Sequence, residues 1–115
     1  HLPSFGSMRP QDVQATLTAL TAKVCADALH GHAPDVTTLW VCGGGAYNLT
    51  LMQALKTQLP RVDVATTDAA GLPPLQVEAA AFAWLAKQTC EGLPGNLPQA
   101  TGALGPRVLG AIYPA

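Results

Sequence analysis

Three consecutive glycines, Gly43, Gly44 and Gly45, lie between a short apolar run and a stretch with helical spacing. Backbone without Cβ atoms can approach a ligand closely and can adopt positive φ. A helix that begins after such a turn offers free N–H groups and a positive dipole end to an anion. Asn48 can cap that helix or donate to a ligand. Neither a P-loop Gly-Lys-Ser/Thr nor the later glycine of a dinucleotide fingerprint follows, so the pattern predicts anion or nucleotide binding and leaves a structural turn open.

Polar side chains also follow the next apolar run, at Thr66, Thr67 and Asp68. Such residues commonly cap or close turns, and they can equally contact a ligand. Glu78 is a lone carboxylate about one turn into an otherwise apolar helix. It is either a solvated acid favoured by the helix dipole or a contact to a ligand. No nucleophile paired with a general base is apparent, so the residues alone predict a binding half-site without a catalytic base.

The cysteines and histidines do not form a metal-binding pattern. Cys25, Cys42 and Cys90 are odd in number and widely spaced, unlike the cysteines of a disulfide scaffold or a zinc site. We expect free, buried thiols in a reducing compartment. His30 and His32 form an H-x-H pair without a nearby cysteine, which favours a solvated helix end. We predict no metal site in this chain.

Hydrophobic spacing predicts the elements that position these groups. It predicts helices over residues 12–29, 51–59 and 74–90, and strands over residues 37–42 and 62–66. Residues 92–106 are expected to form a loop and residues 108–113 a last short strand. A helical crossover between consecutive strands implies that they are parallel, and unalternating apolar strands favour cover on both faces. We therefore predict an α/β fold that binds ligands at the carboxyl ends of its strands.

The composition indicates a surface that something else covers. The chain has 115 residues, of which 49% are apolar and 11% charged, with a net charge of −1. A soluble domain normally has about 25% charged residues. Near-neutral charge and few aromatics argue against a nucleic-acid partner, and no apolar run reaches the roughly 18 residues of a membrane span. Two parallel strands make too small a sheet, so we expect a cytoplasmic fragment of a larger fold or an oligomer such as a homodimer.

Several runs resemble the anhydro-N-acetylmuramic acid kinase family in order and spacing. They are residues 12–22, 41–46 with Asn48, 66–71, 78–79 with 81–86, 92–98, 101–103 and 108–114. The resemblance covers the C-terminal third of that family, which belongs to the actin/hexokinase-like ATPase superfamily. It implies that residues 9–115 are the C-terminal part of a second, ribonuclease-H-like kinase domain. Residues 1–8 are then expected to be a cut edge or a cloning remnant.

The resemblance also implies an activity for the intact enzyme. With ATP and water, it would convert 1,6-anhydro-N-acetylmuramic acid to N-acetylmuramic acid 6-phosphate during peptidoglycan recycling in the cell wall. Mg²⁺ would be held mainly by phosphates and water. The family's phosphate loop and its catalytic Asp, which activates the water, have no counterpart here. The chain alone is therefore expected to be inactive and to need the N-terminal part of the enzyme as its partner.

Site residues follow from the same resemblance, motif by motif. Four match the family's nucleotide-binding turn: Gly43, Gly44, Gly45 and Asn48. Three match its sugar side: Glu78, Asp68 and Thr67. Tyr47 stands where the family has Arg or His, and residues 72–77 replace a more polar, acidic stretch. The alternative hypothesis is a stand-alone α/β binding or dimerisation module without catalysis.

Overall fold

The computed structural model describes residues 8–114. The chain divides into two compact units, the first ending at Pro74 and the second beginning at Leu75. The segment predicted to be a cut edge or cloning remnant, apart from Met8, lies outside the described residues.

The first unit alternates helices and strands. Its elements are α1 (Pro10–His32), β1 (Thr38–Val41), α2 (Leu49–Gln58) and β2 (Asp63–Thr66). A single turn of 3-10 helix follows each strand, at Gly44–Tyr47 and at Thr67–Ala70. The predicted order of helices and strands in this unit is confirmed, with ends that differ by a few residues.

The two helices of this unit begin in different ways. α1 starts with Pro10, which is tolerated in a first turn because the N–H that it lacks would be unpaired there. Asp12, a possible cap by residue type, lies inside the first turn and does not cap α1: its carboxylate accepts from the Arg9 guanidinium, with Nε to Oδ2 at 2.7 Å. α2 is capped as predicted, because Asn48 Oδ1 accepts from the Leu51 N–H at 3.1 Å.

β1 and β2 form a two-stranded parallel sheet, as the sequence predicts. Leu39 pairs with Val64, and Val41 pairs with Thr66. Because side chains alternate along a strand, these residues share one face. Val64 is 3% exposed and joins the core with five helix residues: Ala22, Ala26, Met52, Leu55 and Leu59. One face of the sheet is therefore covered by α1 and α2.

Among residues 8–114, the other face of the sheet is covered only in part, and not fully as the sequence predicts. Trp40 points away from the core face and is 46% exposed. The prediction of buried thiols is also wrong, since Cys25, Cys42 and Cys90 are free but exposed. The physical reason is that apolar composition can indicate burial but cannot tell which chain segment provides the cover.

Among residues 8–114, no helix is both long enough and apolar enough to span a membrane.

The second unit contains α3 (Val77–Cys90) and the short α4 (Pro98–Thr101). The prediction of a loop over residues 92–106 overlooked α4, and the predicted strand over residues 108–113 is wrong. The backbone of this tail accepts single hydrogen bonds from earlier residues of the second unit and forms no ladder with another strand among residues 8–114. The Thr89 hydroxyl donates to the Leu109 carbonyl, and the Gly95 N–H donates to the Arg107 carbonyl at 3.0 Å. No residue of α3 is fully buried in this unit, which leaves Phe82 and Trp84 exposed.

Candidate functional site

The carboxyl ends of β1 and β2 lie side by side because Val41 pairs with Thr66. The glycine turn, which comprises residues 43–48, begins two residues after Val41. The turn at Thr67–Ala70 follows Thr66 directly. The chain therefore leaves both strands at one edge of the sheet. In open α/β sheets this edge is where ligands bind. The structure brings six of the seven predicted site residues to this edge, and Glu78 belongs to the second unit.

Gly43 has a backbone conformation that favours glycine. Its φ is +72°, in the left-handed region that L side chains rarely adopt. The Gly43 N–H donates to the Pro74 carbonyl at 2.9 Å, and the Gly43 carbonyl accepts from the Ala46 N–H at 3.2 Å. Hydrogen bonds to both the N–H and the carbonyl of Gly43 therefore fix the start of the turn.

Gly44 is different, because neither its φ nor its packing requires a glycine. It is not among the positive-φ glycines, and it is exposed. Within the described part of the chain, a Cβ built at Gly44 would meet no atom within 4 Å, apart from those of its own chain neighbours. At Gly45 a Cβ would meet Leu51 Cδ2 at 3.4 Å, an ordinary contact. The space beside Gly44 is therefore open to a close approach by a ligand.

Asn48 ends the turn and starts α2. Its backbone N–H donates to the Gly45 carbonyl at 3.0 Å, and its side-chain Oδ1 holds the Leu51 N–H. The Asn48 Nδ2 group donates to no acceptor within residues 8–114. One side chain can thus cap the helix with its oxygen and still donate to a ligand with its nitrogen.

The polar groups of the turn after β2 differ in whether they form hydrogen bonds. Thr66 Oγ1 donates to Asp68 Oδ2 at 3.2 Å, and the Gly71 N–H donates to the Asp68 carbonyl at 2.9 Å. Asp68 is exposed, so its carboxylate keeps accessible oxygens. Thr67 Oγ1 is buried and has no hydrogen-bond partner among the described residues. Leaving a buried hydroxyl unpaired costs about 1–3 kcal/mol, which marks Thr67 as a group that a further partner would satisfy.

Glu78 lies in the first turn of α3 and is exposed. A carboxylate there interacts favourably with the helix dipole. Its side chain makes no hydrogen bond or ion pair within residues 8–114. This geometry is compatible with both interpretations that the sequence leaves open, a solvated acid and a ligand contact.

Two features of the site were missed from the sequence. One is the unpaired Thr67 hydroxyl, and the other is the hydrogen bond between Gly43 and Pro74. Burial of one atom and a backbone contact between distant residues leave no pattern in residue type or spacing.

His30 and His32 lie in the last turn of α1, and residues 8–114 contain no cluster of three or more metal-binding side chains.

Comparison with known proteins places the chain in a family. The sequence model of "Anhydro-N-acetylmuramic acid kinase" matches residues 1–115. The chain belongs to the anhydro-N-acetylmuramic acid kinase family. The resemblance noted from its motifs is thereby confirmed.

Curated relatives carry the same name and are much longer than this chain. The chain is 61% identical over 108 residues to the anhydro-N-acetylmuramic acid kinase of Ralstonia nicotianae, covering 94% of this chain and 28% of the relative. It is 56% identical over 114 residues to that of Albidiferax ferrireducens, covering 99% of this chain and 29% of the relative. For the kinase of Pseudomonas paraeruginosa the identity is 51% over 105 residues, covering 91% and 29%. The chain spans less than a third of the length of these relatives.

The capping bond of Asn48 in this family member is testable in the intact enzyme. Asn48→Ala removes the acceptor and should lower the free energy of unfolding by about 1 kcal/mol, as loss of a helix cap usually does. Asn48→Asp keeps an acceptor oxygen and should stay within about 0.5 kcal/mol of the wild type. Urea unfolding measures both variants. Equal losses in Asn48→Ala and Asn48→Asp would contradict the capping role of the side-chain oxygen.

Proposed function

We propose that the intact enzyme containing this chain is an ATP-dependent sugar kinase. With ATP and water it converts 1,6-anhydro-N-acetylmuramic acid to N-acetylmuramic acid 6-phosphate in the cytoplasm, during peptidoglycan recycling. Family membership and the shared name of the relatives support the sugar class and the reaction type. In this chain, the observation that carries the proposal is the open backbone at Gly44, at the ligand edge of the sheet.

The nucleotide is proposed to bind at the glycine turn, through Gly43, Gly44, Gly45 and Asn48. The positive φ of Gly43 sets the course of the turn, and Gly44 leaves room for close approach by a phosphate or ribose. Asn48 Nδ2 adds a side-chain donor beside it. ATP supplies the transferred phosphoryl group, and these residues bind and orient it. We propose that Mg²⁺ is held mainly by the ATP phosphates and by water.

The sugar side is proposed to use Thr67, Asp68 and Glu78. The buried Thr67 hydroxyl lacks a partner, and the exposed Asp68 carboxylate can accept hydrogen bonds from sugar hydroxyls. Glu78 has no partner in the described chain that would occupy its carboxylate. The exposed carboxylates of Asp68 and Glu78 can therefore bind a polar ligand without breaking a bond that the described fold needs.

The rest of the catalytic machinery is proposed to lie in the N-terminal part of the same enzyme. That part would contribute the base that activates water and the remaining strands of a ribonuclease-H-like domain, of which residues 9–115 form the C-terminal part. The chain alone would then bind without catalysing. Exposed apolar side chains, such as Leu20 and Val24 on α1 and Phe82 on α3, support such a covering partner.

The same exposed side chains favour one second candidate, a stand-alone binding module that dimerises through its helices. The two candidates differ in a simple assay. Kinase activity in the intact enzyme that disappears in the isolated chain supports the first candidate. An isolated chain that forms a stable dimer, together with an intact protein without kinase activity, supports the second.

Gly44→Val tests the nucleotide turn in the intact enzyme. A branched side chain at Gly44 would fill the open space, so the KM for ATP should rise at least about tenfold, equivalent to about 1.4 kcal/mol of binding free energy. Gly31→Val is the matched control, because Gly31 also has open space and no positive φ but lies near the end of α1. Its KM for ATP should stay at the wild-type value. An unchanged KM in folded Gly44→Val enzyme would show that the turn is only structural.

Glu78→Gln tests the sugar side. Gln keeps the size of the side chain but loses its charge and replaces one acceptor by a donor. Turnover of the intact enzyme should fall at least about tenfold, below the 100-fold typical of a leading acid or base because Glu78 assists. The free energy of unfolding should change by less than about 0.5 kcal/mol. Glu91→Gln, at another exposed carboxylate of the second unit, should keep wild-type turnover. Wild-type turnover in Glu78→Gln would leave Glu78 a solvated helix acid.

A further inference from the structure

Pro74 connects the loop after β2 to the glycine turn after β1. Its side chain is fully buried, with less than 2% of its surface exposed. Its carbonyl accepts the Gly43 N–H at 2.9 Å. Gly43 is the residue whose positive φ starts the turn. The hydrogen bond therefore joins a buried, immobilised carbonyl to the residue that sets the course of the glycine backbone.

The loop that ends at Pro74 is also fixed at its beginning. The Gly71 N–H donates to the Asp68 carbonyl at 2.9 Å, and the Leu72 N–H donates to the Thr67 carbonyl at 3.1 Å. Gly71 itself has a φ of +83°, which closes this first turn. The segment that carries Thr67 and Asp68 is thus held by its own turn at one end and by Gly43 at the other.

Proline is well suited to hold a carbonyl in place. Its ring fixes its own φ near −65°, so the buried Pro74 ring leaves its backbone little freedom. A residue that precedes proline is restricted to extended conformations, which limits Pro73 as well. Pro73 nevertheless differs from Pro74, because Pro73 is exposed and its carbonyl accepts no inter-element backbone hydrogen bond within residues 8–114. The two prolines therefore form a natural pair of test and control positions.

We propose that Pro74 is a positioning residue for the nucleotide turn. The buried ring fixes the carbonyl that holds Gly43, and Gly43 in turn orients the open backbone at Gly44. The inference rests on the proposed nucleotide role of the turn and extends it. It makes ATP binding depend on a residue from the loop that carries the proposed sugar contacts, Thr67 and Asp68.

The test compares Pro74→Ala with Pro73→Ala in the intact enzyme. Pro74→Ala keeps the carbonyl but removes the ring that fixes it, so the KM for ATP should rise about fivefold, in the range expected for one weakened hydrogen bond. Pro73→Ala should change this KM less than about twofold, since its ring and carbonyl hold nothing in the turn. A Pro74 that only stabilises the fold would lower the unfolding midpoint and leave the KM of the folded enzyme unchanged. That result, or an equal rise in both variants, would overturn the proposal.

Hydrogen exchange of the Gly43 amide keeps the proposal testable if Pro74→Ala does not fold. In the wild-type enzyme without ATP, the Gly43 amide should exchange much more slowly than the exposed Gly44 amide beside it. Exchange of the Gly43 amide at the unprotected rate would overturn the proposal. Gly44→Val distinguishes a failure of the positioning role of Pro74 from a failure of the nucleotide role of the turn. If Gly44→Val raises the KM for ATP and Pro74→Ala does not, only the positioning role fails; if neither variant raises it, the nucleotide role of the turn fails.

Discussion

The register between β1 and β2 is the constraint on which the candidate site depends. Leu39 pairs with Val64 and Val41 with Thr66, so one pairing sets both the core and the site. A slip of one residue would turn Val64, which is 3% exposed, out of the core that it forms with Leu55 and Leu59. The same slip would move Thr66 away from Val41. Burial of Val64 therefore stabilises the pairing that brings the glycine turn and the turn at Thr67–Ala70 to one edge of the sheet.

The helices complete this arrangement on one side only. Ala22 and Ala26 are small and buried, which lets α1 approach α2 closely beside Met52 and Leu55. Within the described part of the chain, Leu17, Leu20 and Val24 of α1 are exposed, and so is Trp40 of the sheet. Full-length relatives are more than three times as long, and the low share of charged residues suits a segment whose outer surfaces pack against the rest of such an enzyme.

The features that depend on residues close together in the sequence were predictable from its patterns. Helical spacing predicted α1 and α2, and apolar runs predicted β1 and β2. The residue type of Asn48 predicted a helix cap, and its side-chain oxygen forms that cap in the structure. Features that depend on distant contacts were not predictable in this way. Residues 108–113 have strand-forming composition, but the structure has no strand there, and the Leu109 carbonyl accepts from the Thr89 hydroxyl of α3 instead. The role of Pro74 likewise depends on where its carbonyl lies, which residue type and spacing do not reveal.

The most direct test of this account is amide hydrogen exchange of the intact enzyme with and without ATP. The glycine turn and the loop after β2 leave the sheet at one edge, and we propose that the nucleotide binds there on the side of the glycine turn. ATP should therefore slow exchange in residues 43–48 and leave residues 98–114 unchanged. Slower exchange that is confined to other segments, with none in residues 43–48, would contradict the account.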